Sequence, residues 1–139
     1  MRKTREAAVF VHRGDKFLIM RRVSDRHWNV VAGQVEDGES FAEGAARELA
    51  EEAQLTTALV DLELREAYEI EPQFQALYSP DEHTVTVAAF AAEAPPAWEP
   101  VLNHEHDIFR WCTAEEANDL LHWPEMKAAL RLLAVRLGV

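Results

Sequence analysis

The chain has one cysteine, Cys112, so no internal disulfide can form. That fits a reducing compartment and sets a cytoplasmic expectation. No apolar run approaches the roughly 18 residues of a membrane span. The first residues, MRKTREAAVFVHRGD, lack the long apolar core of a secretory signal, and none is expected. Basic residues are scarce, with 14 Lys and Arg against 25 Asp and Glu and a net charge of −11. A phosphate backbone needs a basic footprint, so nucleic acid is not an expected partner. Neither a repeat nor a linker is visible, and 139 residues suffice for one domain spanning 1–139 with a real core.

What the chain does have is a concentration of acid. Residues 33–55 read GQVEDGESFAEGAARELAEEAQL and hold seven carboxylates against one arginine. This segment carries −6 of the net charge and leaves −5 for the rest. Ser40 with Glu43 three residues on forms a capping box that starts a helix. Ala42, Ala45, Ala46, Leu49 and Ala53 are expected to be its apolar stripe, with small side chains that permit close approach to a sheet. Gly44 costs about 1 kcal/mol in a helix interior, which points to a loop or ligand coming close there. Glu48, Glu51 and Glu52 sit at helical offsets that share one side. Three like charges repel, and a divalent cation would remove that penalty. A solvated acidic face is the ordinary alternative.

The other elements read more quickly. Residues 4–12 and 16–22 suggest a hairpin about Gly14-Asp15, and 28–31 a brief strand ended by Gly33. Strands are expected over 58–70 (broken or bulged), 73–79, 84–92 and 107–111. Residues 94–100 hold three prolines and read as a loop. Thr113 and Glu116 form a second capping box for a helix over 114–121, and 124–137 carries a last helical stripe. Together these give an α/β layer fold around a mixed sheet.

The order Gly33, Glu39, Arg47-Glu48-Leu49, Glu51-Glu52, Leu55 resembles the signature of the Nudix hydrolase family, whose pattern is G, five residues, E, seven residues, R-E-U-x-E-E-x-G-U with U bulky and aliphatic. It covers 23 of 139 residues. The one departure is Gln54, where a second glycine is expected; it should alter the helix exit rather than remove a ligand. The resemblance implies the Nudix fold, an α/β/α sandwich around a mixed β-sheet with a catalytic loop-helix-loop at 33–55. It implies a Mg²⁺ or Mn²⁺ cofactor and hydrolysis of a nucleoside diphosphate linked to another group. By the same resemblance Glu51 and Glu52 are the leading metal ligands and catalytic groups, with Glu48 beside them and the Gly33 carbonyl as a further ligand. Arg47 and Glu39 then brace the loop.

Outside the signature, Glu105-His106 matches a Glu-His pair found in Nudix relatives that act on nucleoside triphosphates or dihydroneopterin triphosphate. Glu105 is thus a candidate metal ligand or general base, with Glu66 and Glu69 as rivals. Arg21, Arg22 and Trp28 are candidate substrate-binding residues. Alternation along a strand puts only one of the two arginines on a given face. The expected activity is metal-dependent hydrolysis of a nucleoside or pterin triphosphate to the monophosphate and pyrophosphate. The competing expectations are cleavage of a dinucleoside polyphosphate or nucleotide sugar, and a silent nucleotide-binding domain. The expected partner is a small phosphorylated substrate, with no membrane; apolar patches leave room for a homodimer.

Overall fold

The computed structural model describes residues Met1–Val139. The order of elements is β1 (Arg5–Arg13), β2 (Lys16–Arg22), β3 (Trp28–Asn29), β4 (Val31–Gln34), α1 (Phe41–Ala53), β5 (Val60–Glu69), β6 (Thr84–Glu93), β7 (His106–Cys112), α2 (Ala114–Leu120) and α3 (Pro124–Leu137). The sheet is mixed, because β1 runs parallel to β6 while its other pairings are antiparallel.

One feature of the sheet positions the site. The β1–β2 hairpin pairs only near its turn, at His12–Phe17 and Arg13–Lys16. Behind that point β1 pairs with β4, from Glu6–Gln34 to Val9–Val31, and β2 pairs with β3 and β7. The expected strand over 28–31 is therefore two short strands that serve different partners.

Alternation along the central strands feeds both faces. Ala7, Val9 and Val11 join Ala45, Leu49 and Ala53 of α1 in one apolar cluster, and Ala8 and Phe10 join Leu121, Leu130 and Leu133 in the other. A sheet with helices on both sides is the α/β/α sandwich.

Both capping boxes form as expected, Ser40 with Glu43 and Thr113 with Glu116. The stripe of α1 differs from expectation. Ala42 and Ala46 are exposed, while Gly44, Ala45, Glu48, Leu49, Glu52 and Ala53 are buried. The buried face is thus rotated toward the carboxylates. Gly44 makes this possible: a Cβ there would lie 2.9 Å from Cγ2 of Val35, so the loop before the helix does come close. Residues 73–79 are not a strand. Pro72–Leu77 form a 3₁₀ helix with Pro72 in its first turn, where a missing N–H costs nothing. The expected break in 58–70 is a bulge in β5 between Asp61 and Leu64, with Glu63 at φ +58°.

Candidate active site

The C-terminal half of α1, the β3–β4 segment and the loop before β7 converge on one cleft of about 910 Å³. Its lining includes Gly33, Glu48, Glu52, Glu105 and His106. That volume falls within the roughly 300–1,000 Å³ usual for small-molecule sites.

Arg47 organises one side of α1. Its Nε and Nη2 donate to the Glu39 carboxylate at 2.9 and 3.0 Å, and Nη2 also donates to the Gln34 carbonyl at 2.8 Å. Its Nη1 donates to Glu48 at 2.9 Å and to Glu51 at 3.3 Å. Glu39 in turn accepts from the Glu36 amide at 2.8 Å, closing the loop onto the helix. These donors hold the Glu39 carboxyl below its usual range, the Arg47 bond contributing most, and the pairing raises the Arg47 guanidinium. A planar fork suits this bracing of several carboxylates and a carbonyl at once.

The other side of α1 is short of donors. Glu52 is 1 % exposed. Its Oε1 accepts only a long bond from the Ala32 amide, at 3.4 Å, and its Oε2 has no partner. Burial first, then neighbouring Glu48 and Glu105, push its carboxyl up to about 10. His106, at the start of β7, is also buried, with Nδ1 3.9 Å from Glu52 Oε1 and unpaired. Burial lowers this imidazole, with Glu105 opposing the shift and Arg22 adding a smaller push in the same direction as burial.

One close approach explains how a carboxylate reaches the cleft from a core-facing helix. A Cβ at Gly33 would run into the Glu48 carboxylate, so this position must be glycine for Glu48 to lie where it does. At the helix end Gln54 takes the left-handed conformation, φ 56° and ψ 46°. This is the residue that replaces the signature glycine, and the helix exit keeps the glycine geometry without the glycine.

The structure places the remaining candidates as follows. Glu51 has a side chain 54 % exposed, is held by Arg47 and is outside the cleft lining. Glu105 lines the cleft, and its amide donates to Asn103 Oδ1 at 2.9 Å. Arg22 lines the cleft and its guanidinium lies over the Trp123 ring, 5.1 Å from the centroid. Arg21 instead makes a two-bond pair with Asp107, at 3.0 and 2.8 Å, away from the lining. Trp28 packs half-buried against the core under α2 and α3, and Trp123 is the tryptophan that reaches the cleft. Of the two rivals on β5, Glu69 lines the cleft and Glu66 does not.

One contributor escaped the reading of the sequence. Asn103 donates through Nδ2 to the Glu51 carbonyl at 3.1 Å and to Glu105 at 3.4 Å, pinning the β7 loop to the end of α1. Its signal was the Asn-x-Glu spacing, which suits a side chain turning back on its own loop. His106 was read only as half of the Glu105-His106 pair, and its burial had no local signal, since it depends on how β7 meets β2.

No three of these side chains converge tightly enough to form a ready-made ion cage, because Arg47 draws Glu48 and Glu51 toward itself. The donor set nonetheless suits a divalent cation. Glu52 has a buried oxygen with no donor, and Glu48 and Glu105 both disfavour its charge. Hard oxygen ligands of this kind match Mg²⁺ or Mn²⁺.

The α/β/α sandwich thus directs two carboxylates of one helix, Glu48 and Glu52, into the cleft. The chain belongs to the NUDIX family: the NUDIX domain matches residues 2–133. A Myxococcus xanthus octanoyltransferase is 35 % identical over 133 residues, which is 93 % of this chain but 36 % of that protein, so the chain spans about a third of that relative. A Sus scrofa bis(5'-nucleosyl)-tetraphosphatase (asymmetrical) is 32 % identical, covering 84 % of this chain and 76 % of its own. A Haemophilus influenzae dihydroneopterin triphosphate diphosphatase is 32 % identical, covering 76 % and 70 %. Among solved structures, the E. coli dihydroneopterin triphosphate pyrophosphohydrolase superposes with a TM-score of 0.87 at 24 % identity, covering 97 % of both chains. No helix is long and apolar enough to cross a membrane.

Proposed function

We propose that this protein hydrolyses a nucleoside or pterin triphosphate to the monophosphate and pyrophosphate, using Mg²⁺ or Mn²⁺. The observation that carries this is the donor-poor carboxylate Glu52, buried beside Glu48, Glu105 and the Gly33 backbone on the wall of a substrate-sized cleft. Glu52, Glu48, Glu105 and the Gly33 carbonyl are the groups that would hold the cation. When bound, such an ion neutralises phosphate charge and acidifies the attacking water.

The protein groups have separate tasks. Arg47 and Glu39 fix the loop that carries Gly33. Asn103 holds Glu105 against the end of α1, where its carboxylate can take a proton from water. Arg22, with its guanidinium over Trp123, offers a cation to the phosphate chain at the cleft wall. Attack on one phosphorus of a P–O–P bridge then gives two phosphorylated products, with no covalent enzyme intermediate.

Glu105-His106 at the start of β7 supports the triphosphate reading, as does the name of the H. influenzae relative. The equally similar S. scrofa relative favours a second reading, cleavage of a dinucleoside polyphosphate. A panel of triphosphates, dihydroneopterin triphosphate, dinucleoside polyphosphates and nucleotide sugars, with Mg²⁺ or Mn²⁺ and products separated by ion exchange, tests this. Pyrophosphate released from triphosphates is expected. Turnover confined to dinucleoside polyphosphates or sugar nucleotides would overturn it.

A further inference from the structure

Away from α1, the cleft wall is built by β1, β5 and the 3₁₀ helix, and here a second half-buried carboxylate lines the cleft. Glu6 on β1 lines the cleft with its side chain only 17 % exposed. Its Oε1 accepts from the Tyr68 hydroxyl at 3.0 Å and its Oε2 accepts a long bond from Arg2 at 3.4 Å. A carboxylate accepts about four hydrogen bonds, so about half of its capacity is unused. Burial raises this carboxyl, with the Tyr68 and Arg2 bonds opposing the rise. Phe74 and Leu77 of the 3₁₀ helix line the same region, 49 % and 51 % exposed. Half-exposed apolar side chains at a cleft wall suit a flat ring that covers them.

This end is also wrong for phosphate. Glu69, Glu71 and Glu125 join Glu6 in the lining, and the nearby cation Arg2 is already engaged by Tyr78 and Glu6. The anionic part of a substrate belongs with Arg22 and the metal-holding carboxylates, and its uncharged ring belongs here.

Building on the hydrolase reading above, we propose that Glu6 selects the substrate's heterocycle, accepting two adjacent N–H donors from a 2-amino-4-oxo pyrimidine edge, the edge shared by guanine and pterins. The other common bases lack that pair. Adenine and cytosine present one amino group next to a ring acceptor, and uracil and thymine set one N–H between two carbonyls. Each of these would turn a lone pair toward the carboxylate. A site built to bond such donors rejects analogues that lack them, and a bidentate contact of this kind is worth on the order of tenfold to a hundredfold.

The test compares kcat/KM for GTP and ATP, with Mg²⁺, in the wild type, Glu6→Gln and Tyr68→Phe. It also compares binding of GMP and AMP to the wild type by calorimetry. The wild type should prefer GTP at least tenfold. Glu6→Gln should reduce the GTP/ATP ratio at least tenfold, and Tyr68→Phe, which only loosens Glu6, should reduce it less. GMP should bind at least tenfold tighter than AMP. Equal use of GTP and ATP, or a ratio unchanged in Glu6→Gln because both substrates slow alike, would overturn the assignment while leaving hydrolysis intact. Preferential GMP binding without turnover of any triphosphate would instead support Glu6 and sink the hydrolase reading.

Discussion

Helix α1 carries two acid-rich neighbourhoods, and they are opposites. Around Arg47, Glu39, Glu48 and Glu51 are tied by one guanidinium to each other and to the Gln34 carbonyl. Around Glu52, one turn along, a buried carboxylate oxygen and a buried imidazole nitrogen have no partner at all. Acid count does not separate the two; supply of donors does. Satisfied carboxylates hold a backbone in place. A buried carboxylate without donors is unstable by itself and is a place where a cation is worth most. Glu48 links them, bound by Arg47 on one side and pressing on Glu52 from the other.

The comparison breaks most visibly at Glu52. Replacing it with glutamine keeps the shape and removes the charge. Steady-state assays of the Glu52→Gln variant should show kcat/KM down by at least a hundredfold, with the circular dichroism of the wild type. Near-normal turnover would place the metal elsewhere.

Arg47→Ala attacks the other neighbourhood. It strands Glu39 and the Gln34 carbonyl, partly buried groups that lose their main donor. A lower Tm than that of the wild type is expected in thermal melts. Activity should fall with it, because the Gly33 loop loosens. An unchanged Tm would show the network to be decorative.

The same asymmetry predicts a pH dependence. Glu52 binds its proton more tightly folded, at about 10, than at the ordinary 4.5. Between those values the folded chain holds more protons than the unfolded one, so stability falls as pH rises. In chelator, the wild-type Tm minus that of Glu52→Gln should therefore decline from pH 5 to pH 9, and excess Mg²⁺ should reduce the decline. A flat difference would mean that Glu52 is solvated in solution.

The smallest effect lies at the helix exit. Gln54 holds a left-handed conformation that costs an L side chain about 1 kcal/mol, partly offset by the entropy a glycine loses. Gln54→Gly should raise stability by no more than about 0.5 kcal/mol in denaturant melts and leave kcat/KM unchanged. A destabilised variant would show that Gln54 makes its own contribution at that turn.

Much of this was legible in the residue order, for physical reasons. Capping boxes are local, so Ser40-Glu43 and Thr113-Glu116 located two helices from four residues each. The signature spacing found Gly33, Arg47, Glu48 and Glu52 because helical offsets and one obligatory glycine fix them together. Facing was harder. Gly44 admits Val35 and rotates the buried face of α1, which exposes Ala42 and Ala46 and carries Glu48 and Glu52 inward. Gly44 signalled a close approach, but not which side of the helix it would turn inward. Residues 73–79 read as a strand ending at Ser79-Pro80-Asp81, but Pro72 starts a 3₁₀ helix instead. Arg21 and Arg22 were indistinguishable until β7 supplied Asp107 as a partner for one of them. Trp28 and Trp123 divided their roles by packing alone.

The division of α1 is tested most directly by titrating Mn²⁺ into the metal-free wild type, Glu52→Gln and Glu51→Gln, following free Mn²⁺ by electron paramagnetic resonance. Glu52→Gln should weaken binding at least tenfold, while Glu51→Gln should stay within about threefold of wild type, since Arg47 already holds that side chain away from the cleft. Equal losses in both variants, or a larger loss in Glu51→Gln, would contradict the account.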